Sequence, residues 1–188
     1  YLLTGVERTR EAETTPVRAP TSTYPGEVGL DVKYGLSSNL TLDLTANTDF
    51  AQVESDDIQV NLDRFNLFVP EKRQFFQERS SAFEFSTGSE GQLFHSRRIG
   101  LSPLGTPVRI FGGARLAGRV GGWDVGLLSL QVDGDVDNPG ENDSVLRLRR
   151  GLLGDGRVGG MLTSRIDGRG GADVTYGLDA EIPLGSER

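Results

Sequence analysis

Glu71 and Glu78, set among Arg64, Lys72, Arg73 and Arg79, are the residues whose chemistry first asks for an explanation. Two carboxylates flanking a glycosidic bond are the machinery of a glycosidase, one acting as acid and the other as nucleophile or base. Nothing in the sequence fixes their separation, and carboxylates interleaved this closely with cations serve as ion-paired struts more often than as catalysts. The reading therefore leans away from an enzyme. A second group, Arg97-Arg98 and the run Arg147, Arg149 and Arg150, has the fork geometry that grips carboxylates and phosphates, so acidic sugars or lipopolysaccharide phosphates are possible ligands. Internal pairing with Asp31, Asp43, Asp173, Asp179 and Glu181 across neighbouring strands is the favoured alternative. The expected binding residues are Arg64, Glu71, Lys72, Arg73, Glu78, Arg97 and Arg98, with no catalytic residue among them.

Metal and nucleophile chemistry is sparse. His95 is the one histidine and there is no cysteine, so multi-histidine and thiolate metal sites are excluded, as are disulfides. The stretch from Asp133 to Glu141 alternates carboxylates like the start of a calcium loop. Asn138, however, stands where the turn glycine belongs, and Ser144 takes the twelfth position in place of glutamate. A solvated acidic loop is expected there, with no metal and no cofactor. The formal net charge of −7 argues against nucleic acid as a partner.

These groups need elements to hold them, and the hydropathy pattern supplies strands. Val28, Leu30, Val32, Tyr34 and Leu36 alternate with Gly29, Asp31, Lys33 and Gly35. After a turn at Ser37-Ser-Asn39, Leu40, Leu42, Leu44 and Ala46 alternate with Thr41, Asp43, Thr45 and Asn47, which makes a hairpin of period two. Residues 1–9 are weakly strand-like, and the prolines at 16, 20 and 25 mark a loop. Further strands are expected over 108–120, 123–132, 145–150, 157–166 and 173–182. In the first of these, Val108, Ile110, Gly112, Ala114, Leu116, Gly118 and Val120 share one face. Between the hairpin and this block lies an insertion at about 49–107, where seven of the nine phenylalanines fall between Phe65 and Phe94. Ile58, Leu62, Phe65 and Val69 follow at helical spacing up to Pro70, predicting a helix over about 56–69 that lays Leu62 and Phe65 on the sheet. Phe75-Phe76 and Phe83-Glu-Phe85 are expected to be extended or irregular.

The fold class is thus all-β, an antiparallel meander of about eight strands. It is read as part of a larger outer-membrane-type β-barrel, with residues 1–188 forming one barrel-like domain of a longer chain and 49–107 an inserted plug-like or docking segment. Segments of roughly 9–13 residues match tilted membrane strands better than soluble ones, and the polar face carries charges of both signs, as a water-filled lumen would. Trp123, Tyr34 and Tyr176 are candidates for interfacial girdles. A soluble periplasmic β-rich binding or scaffold module would show a similar alternation, and part of a polysaccharide hydrolase is the third reading. An eight-stranded barrel has no room for the insertion, so either the barrel is larger or the insertion lies outside it.

Gly29-Leu-Asp-Val-Lys-Tyr-Gly35, Asn39-Leu-Thr-Leu-Asp43, Asp49-Phe-Ala-Gln-Val-Glu54, Asn61-Leu-Asp-Arg-Phe65, Pro70-Glu-Lys-Arg73, Phe75-Phe76, Ser96-Arg-Arg-Ile-Gly100 and Gly121-Gly-Trp123 resemble a bacterial family of uncharacterised domains. The resemblance runs through nearly the whole chain. It departs at Asn47-Thr-Asp49 where Asn-Pro-Asp is usual, at Val69 where an aromatic is common, at Gln74 where a second proline often sits, and at His95 where tyrosine is common. The resemblance implies a cell-envelope β-barrel in the outer membrane of a Gram-negative bacterium, preceded by a family 9 carbohydrate-binding domain. Its implied partners are outer-membrane lipid, that N-terminal domain and oligo- or polysaccharide. It implies no active-site residue.

Overall fold

In the computed structural model the described residues are 2–4, 26–48, 71–85, 92–101, 108–134, 139–152 and 156–182. Seven long strands run as one antiparallel meander, each hydrogen-bonded to the next in sequence: β3 (Leu30–Ser37), β4 (Leu40–Thr48), β5 (Ile110–Val120), β6 (Trp123–Val132), β7 (Glu141–Gly151), β8 (Arg157–Asp167) and β9 (Ala172–Glu181). Two short strands, β1 (Leu2–Thr4) and β2 (Gly26–Val28), pair separately. The weak N-terminal strand therefore does not join the main sheet, which has seven strands and is not closed. Between β4 and β5 lie α1 (Gln74–Gln77) and two 3₁₀ turns, Ser80–Phe83 and Ser96–Arg98. The expected helix over 56–69, with Leu62, Arg64 and Phe65, falls outside the described residues, as do Asp135 to Asn138 of the acidic loop.

The register explains the two faces. Tyr34, Leu42, Leu116, Leu127, Leu146, Leu162 and Tyr176 lie in one row across all seven strands on the outward face. On either side of that row the same face carries Val32, Leu44 and Val174, and Val125, Leu148 and Leu178. Much of this surface is open, with Tyr176 78% and Leu178 86% exposed. The core lies wholly on the opposite, inward face. There Leu128, Leu130, Val132, Val145, Met161 and Ile110 pack against Phe76, Phe83, Phe85 and Ile99 of the insertion.

Three expectations are corrected. A β-bulge between Ile110 and Gly112 shifts the register of β5 against β6, so Ile110 leaves the face of Gly112, Ala114 and Leu116 and is buried opposite Val132. Strand β7 starts at Glu141, four residues earlier than the apolar pattern indicates, because Asp143 is held in register by Arg165. Phe75 and Phe76 sit on the helical turn α1.

Candidate functional site

Among the described residues one device occurs three times, once within the insertion and twice between it and the inward face of the sheet. In each copy a buried arginine lies over a phenylalanine ring, pairs with a carboxylate and donates to backbone carbonyls of the insertion. The guanidinium suits this because its fork of five N–H donors can serve a carboxylate and one or two carbonyls together.

The first copy is internal to the insertion. Arg73, 4% exposed, stacks 4.1 Å from the Phe76 ring centroid. Its Nε and Nη2 donate to the two carboxylate oxygens of Glu71 at 2.8 and 2.7 Å. Its remaining reach goes to the carbonyls of Ile99 and Ser96, both at 2.7 Å, while the Ser96 hydroxyl donates to Glu71 at 2.7 Å. Segment 71–77 is thereby tied to 96–99.

The second copy joins the insertion to β4 and β5. Arg115 donates to Asp43 Oδ2 through Nε at 3.0 Å and Nη2 at 2.6 Å, and sits 4.7 Å from the Phe75 ring. Its Nη1 donates to the carbonyls of Phe75 and Glu78, the latter at 2.8 Å. These carbonyls lie at the C-terminal end of α1, where a helix leaves acceptors without internal partners. Glu78 also pairs with Lys33, and Arg79, in the left-handed conformation at φ 54°, donates to the Ala117 carbonyl at 3.0 Å.

The third copy reaches the far side of the sheet. Arg147, 1% exposed, holds both carboxylate oxygens of Asp179 at 2.5 and 2.6 Å and donates to the Glu84 carbonyl at 3.0 Å. The Phe85 ring lies 5.0 Å away. Space for the aromatic residues comes from missing side chains. A Cβ on Gly126 would meet the Ala82 carbonyl oxygen at 2.9 Å and the Phe83 ring at 3.0 Å, and one on Gly177 would meet the Phe85 ring at 2.6 Å.

The expected binding residues therefore divide. Glu71 and Arg73 come together with the turn that carries Arg97 and Arg98, but they bond each other and the backbone rather than strand charges. Glu78 belongs to the second network, with Lys33 and Arg115, so the two glutamates serve different contacts. Lys72 and Arg98 are exposed, Arg97 is half-buried, and Arg64 lies outside the described residues. The internal pairing favoured for Arg147 is present, with Asp179 as its partner. What the sequence reading missed is the role of Arg115 and Arg147 as carbonyl donors to the insertion. Their only advance signal was a full charge on the face opposite the leucines.

Burial pushes the Glu71 carboxyl upward, but hydrogen bonds and charge from Arg73, with help from Ser96, outweigh it and leave the pKa below the ordinary value. The hydrogen bond from Lys33 lowers that of Glu78 against a smaller effect of burial, with the charges of Lys33 and Arg115 adding to it. Both groups are therefore held as carboxylates, suited to pairing with cations and poorly suited to donating a proton.

No curated protein and no solved structure matches the chain. Residues 11–111, which include β2 to β4 and the whole insertion, match the family described as a domain of unknown function, DUF5916. The segment that carries the arginine-fastened insertion is thus the segment by which the chain belongs to the DUF5916 family.

Proposed function

We propose that this chain is a non-enzymatic part of an outer-membrane β-barrel wall in the Gram-negative cell envelope, with the insertion docked on its lumen side as a plug. In this reading it handles, or anchors a domain that handles, polysaccharide-derived ligands. The observation that carries the barrel reading is the division of the sheet: leucine, valine and tyrosine point outward across seven strands, while the buried ion pairs and the insertion occupy the other side. A soluble sheet covers its apolar face, whereas here a broad apolar face stays open while the covered face mixes an apolar core with the buried charges of Asp43, Arg115, Asp143 and Arg147. An open apolar exterior over a charge-bearing interior is the arrangement of a barrel. The carbohydrate link rests on the resemblance in sequence and on the arginine-rich turn at Arg97-Arg98. Against a hydrolase, Glu71 and Glu78 are each taken up by cations in separate networks.

The test is fractionation of the full-length protein together with gel mobility before and after boiling. Recovery with the outer membrane and a heat-dependent mobility shift are expected. A folded, detergent-free monomer in the soluble periplasm would overturn the barrel reading, and turnover of a glycan panel would overturn the non-enzymatic one.

A further inference from the structure

The outward face carries two arginine–aromatic pairs, at opposite ends of the β5–β6 hairpin. The Arg109 guanidinium lies 5.3 Å from the Phe111 ring and is steadied by Asn47 Oδ1, to which Nε donates at 2.7 Å. The Arg150 guanidinium lies 5.4 Å from the Trp123 ring, and the two residues are register partners on β7 and β6. Trp123 in turn pairs in register with Val120. The nine residue steps from Phe111 to Val120 amount to about 30 Å along a strand. At a strand tilt of 35–45° this is about 21–25 Å of height, the apolar band of a membrane barrel.

We infer that these two pairs mark the two borders of the bilayer-facing band, each guanidinium meeting lipid phosphates of one leaflet. The inference rests on the barrel-wall reading and adds its depth, its registration and its headgroup partner. Arginine with an aromatic neighbour suits a border, since the ring sits at headgroup level and the cation reaches the phosphate. The surface between the pairs fits a hydrocarbon phase. Its central row is leucine on β4 to β8, with Tyr34 and Tyr176 at the two ends of the row. Polar groups that interrupt the band on β6 and β7 are bonded internally: the Ser144 hydroxyl donates to Ser129 Oγ at 2.9 Å and the Asn142 amide Nδ2 donates to the Leu130 carbonyl at 3.2 Å. A polar group so satisfied tolerates a place where water is scarce.

Trp123 is the single tryptophan, so its emission reports one depth. The full-length protein, with any tryptophan outside these residues replaced by phenylalanine, is reconstituted in phosphatidylcholine–phosphatidylglycerol vesicles whose acyl chains carry bromine either near the headgroup or near the chain end. Trp123 should be quenched more by the shallow bromines. Trp123→Phe/Leu127→Trp should reverse the order, and Trp123→Phe/Phe111→Trp should restore it. Arg150→Gln should move the Trp123 emission maximum and lower retention on the anionic vesicles more than on phosphatidylcholine alone. Deeper quenching of Trp123 than of the tryptophan at 127 would overturn the border assignment and leave the barrel wall standing. No quenching by either lipid, with full quenching by aqueous acrylamide, would overturn both.

Discussion

Arg147 shows what a buried guanidinium does here. Asp179 balances its charge, and the Glu84 carbonyl uses a donor that the carboxylate leaves over. Replacing it with methionine keeps much of the volume over Phe85, but leaves a carbonyl without its donor and a carboxylate without its partner. We expect Arg147→Met to cost about 2–4 kcal/mol, read as a lower urea midpoint of the full-length protein. Glu71 makes the same argument testable by pH. Its folded pKa is depressed by the Arg73 contacts, so its contribution is full above the ordinary glutamate value of about 4.3 and is lost as pH falls through the lower folded value. The stability gap between wild type and Glu71→Gln should therefore be constant at neutral pH and close in acid. A gap that stays open at the acid end, measured by denaturation across pH, would contradict the pairing.

At the scale of elements, the insertion is held by aromatic burial that the sheet makes room for. Phe83 and Phe85 are buried beneath strand glycines, and each well-buried apolar side chain contributes roughly 1.5–3 kcal/mol. Gly126→Ala would press a methyl against the Ala82 carbonyl oxygen, 2.9 Å from the ideal Cβ position. It should cost about 1–3 kcal/mol, and Phe83→Ala about 3–5 kcal/mol. Proteolysis within 71–85 should report both, since a loosened segment is cut first. The strands were legible because Leu40, Leu42, Leu44 and their counterparts alternate without interruption. The bulge at Phe111 was not, because Ile110, Phe111 and two glycines offer no polar residue to reveal a change of face. The start of β7 was hidden for a different reason: Asn142 and Ser144 are polar on the outward side while Asp143 is polar on the inward side, so the period vanishes. Helix α1 spans four residues, too few to form on propensity alone. The contacts that shape it, from Arg115 on β5, lie about 40 residues away in sequence. The candidate site was half legible for the same reason, since a charge is visible in a sequence but the carbonyl it serves is not.

For the whole molecule, the side on which the insertion sits decides between the two options left by size. An eight-stranded barrel is filled by its own side chains, and an insertion on the apolar face would sit in lipid. The described part of the insertion lies on the charged face, so in a barrel it occupies the lumen, and that barrel needs more strands than the seven in this sheet. The arginine device then works as a latch with one fastening on β5 and another on β7. Loosening a latch while leaving the wall intact should change passage more than assembly. In planar bilayers the full-length protein should conduct weakly, and Gly126→Ala and Arg147→Met should raise single-channel conductance, with the heat-dependent gel shift kept. Conductance unchanged in both variants, alongside the increased proteolysis of 71–85, would mean that the segment comes away without opening a path, and so does not lie across the pore.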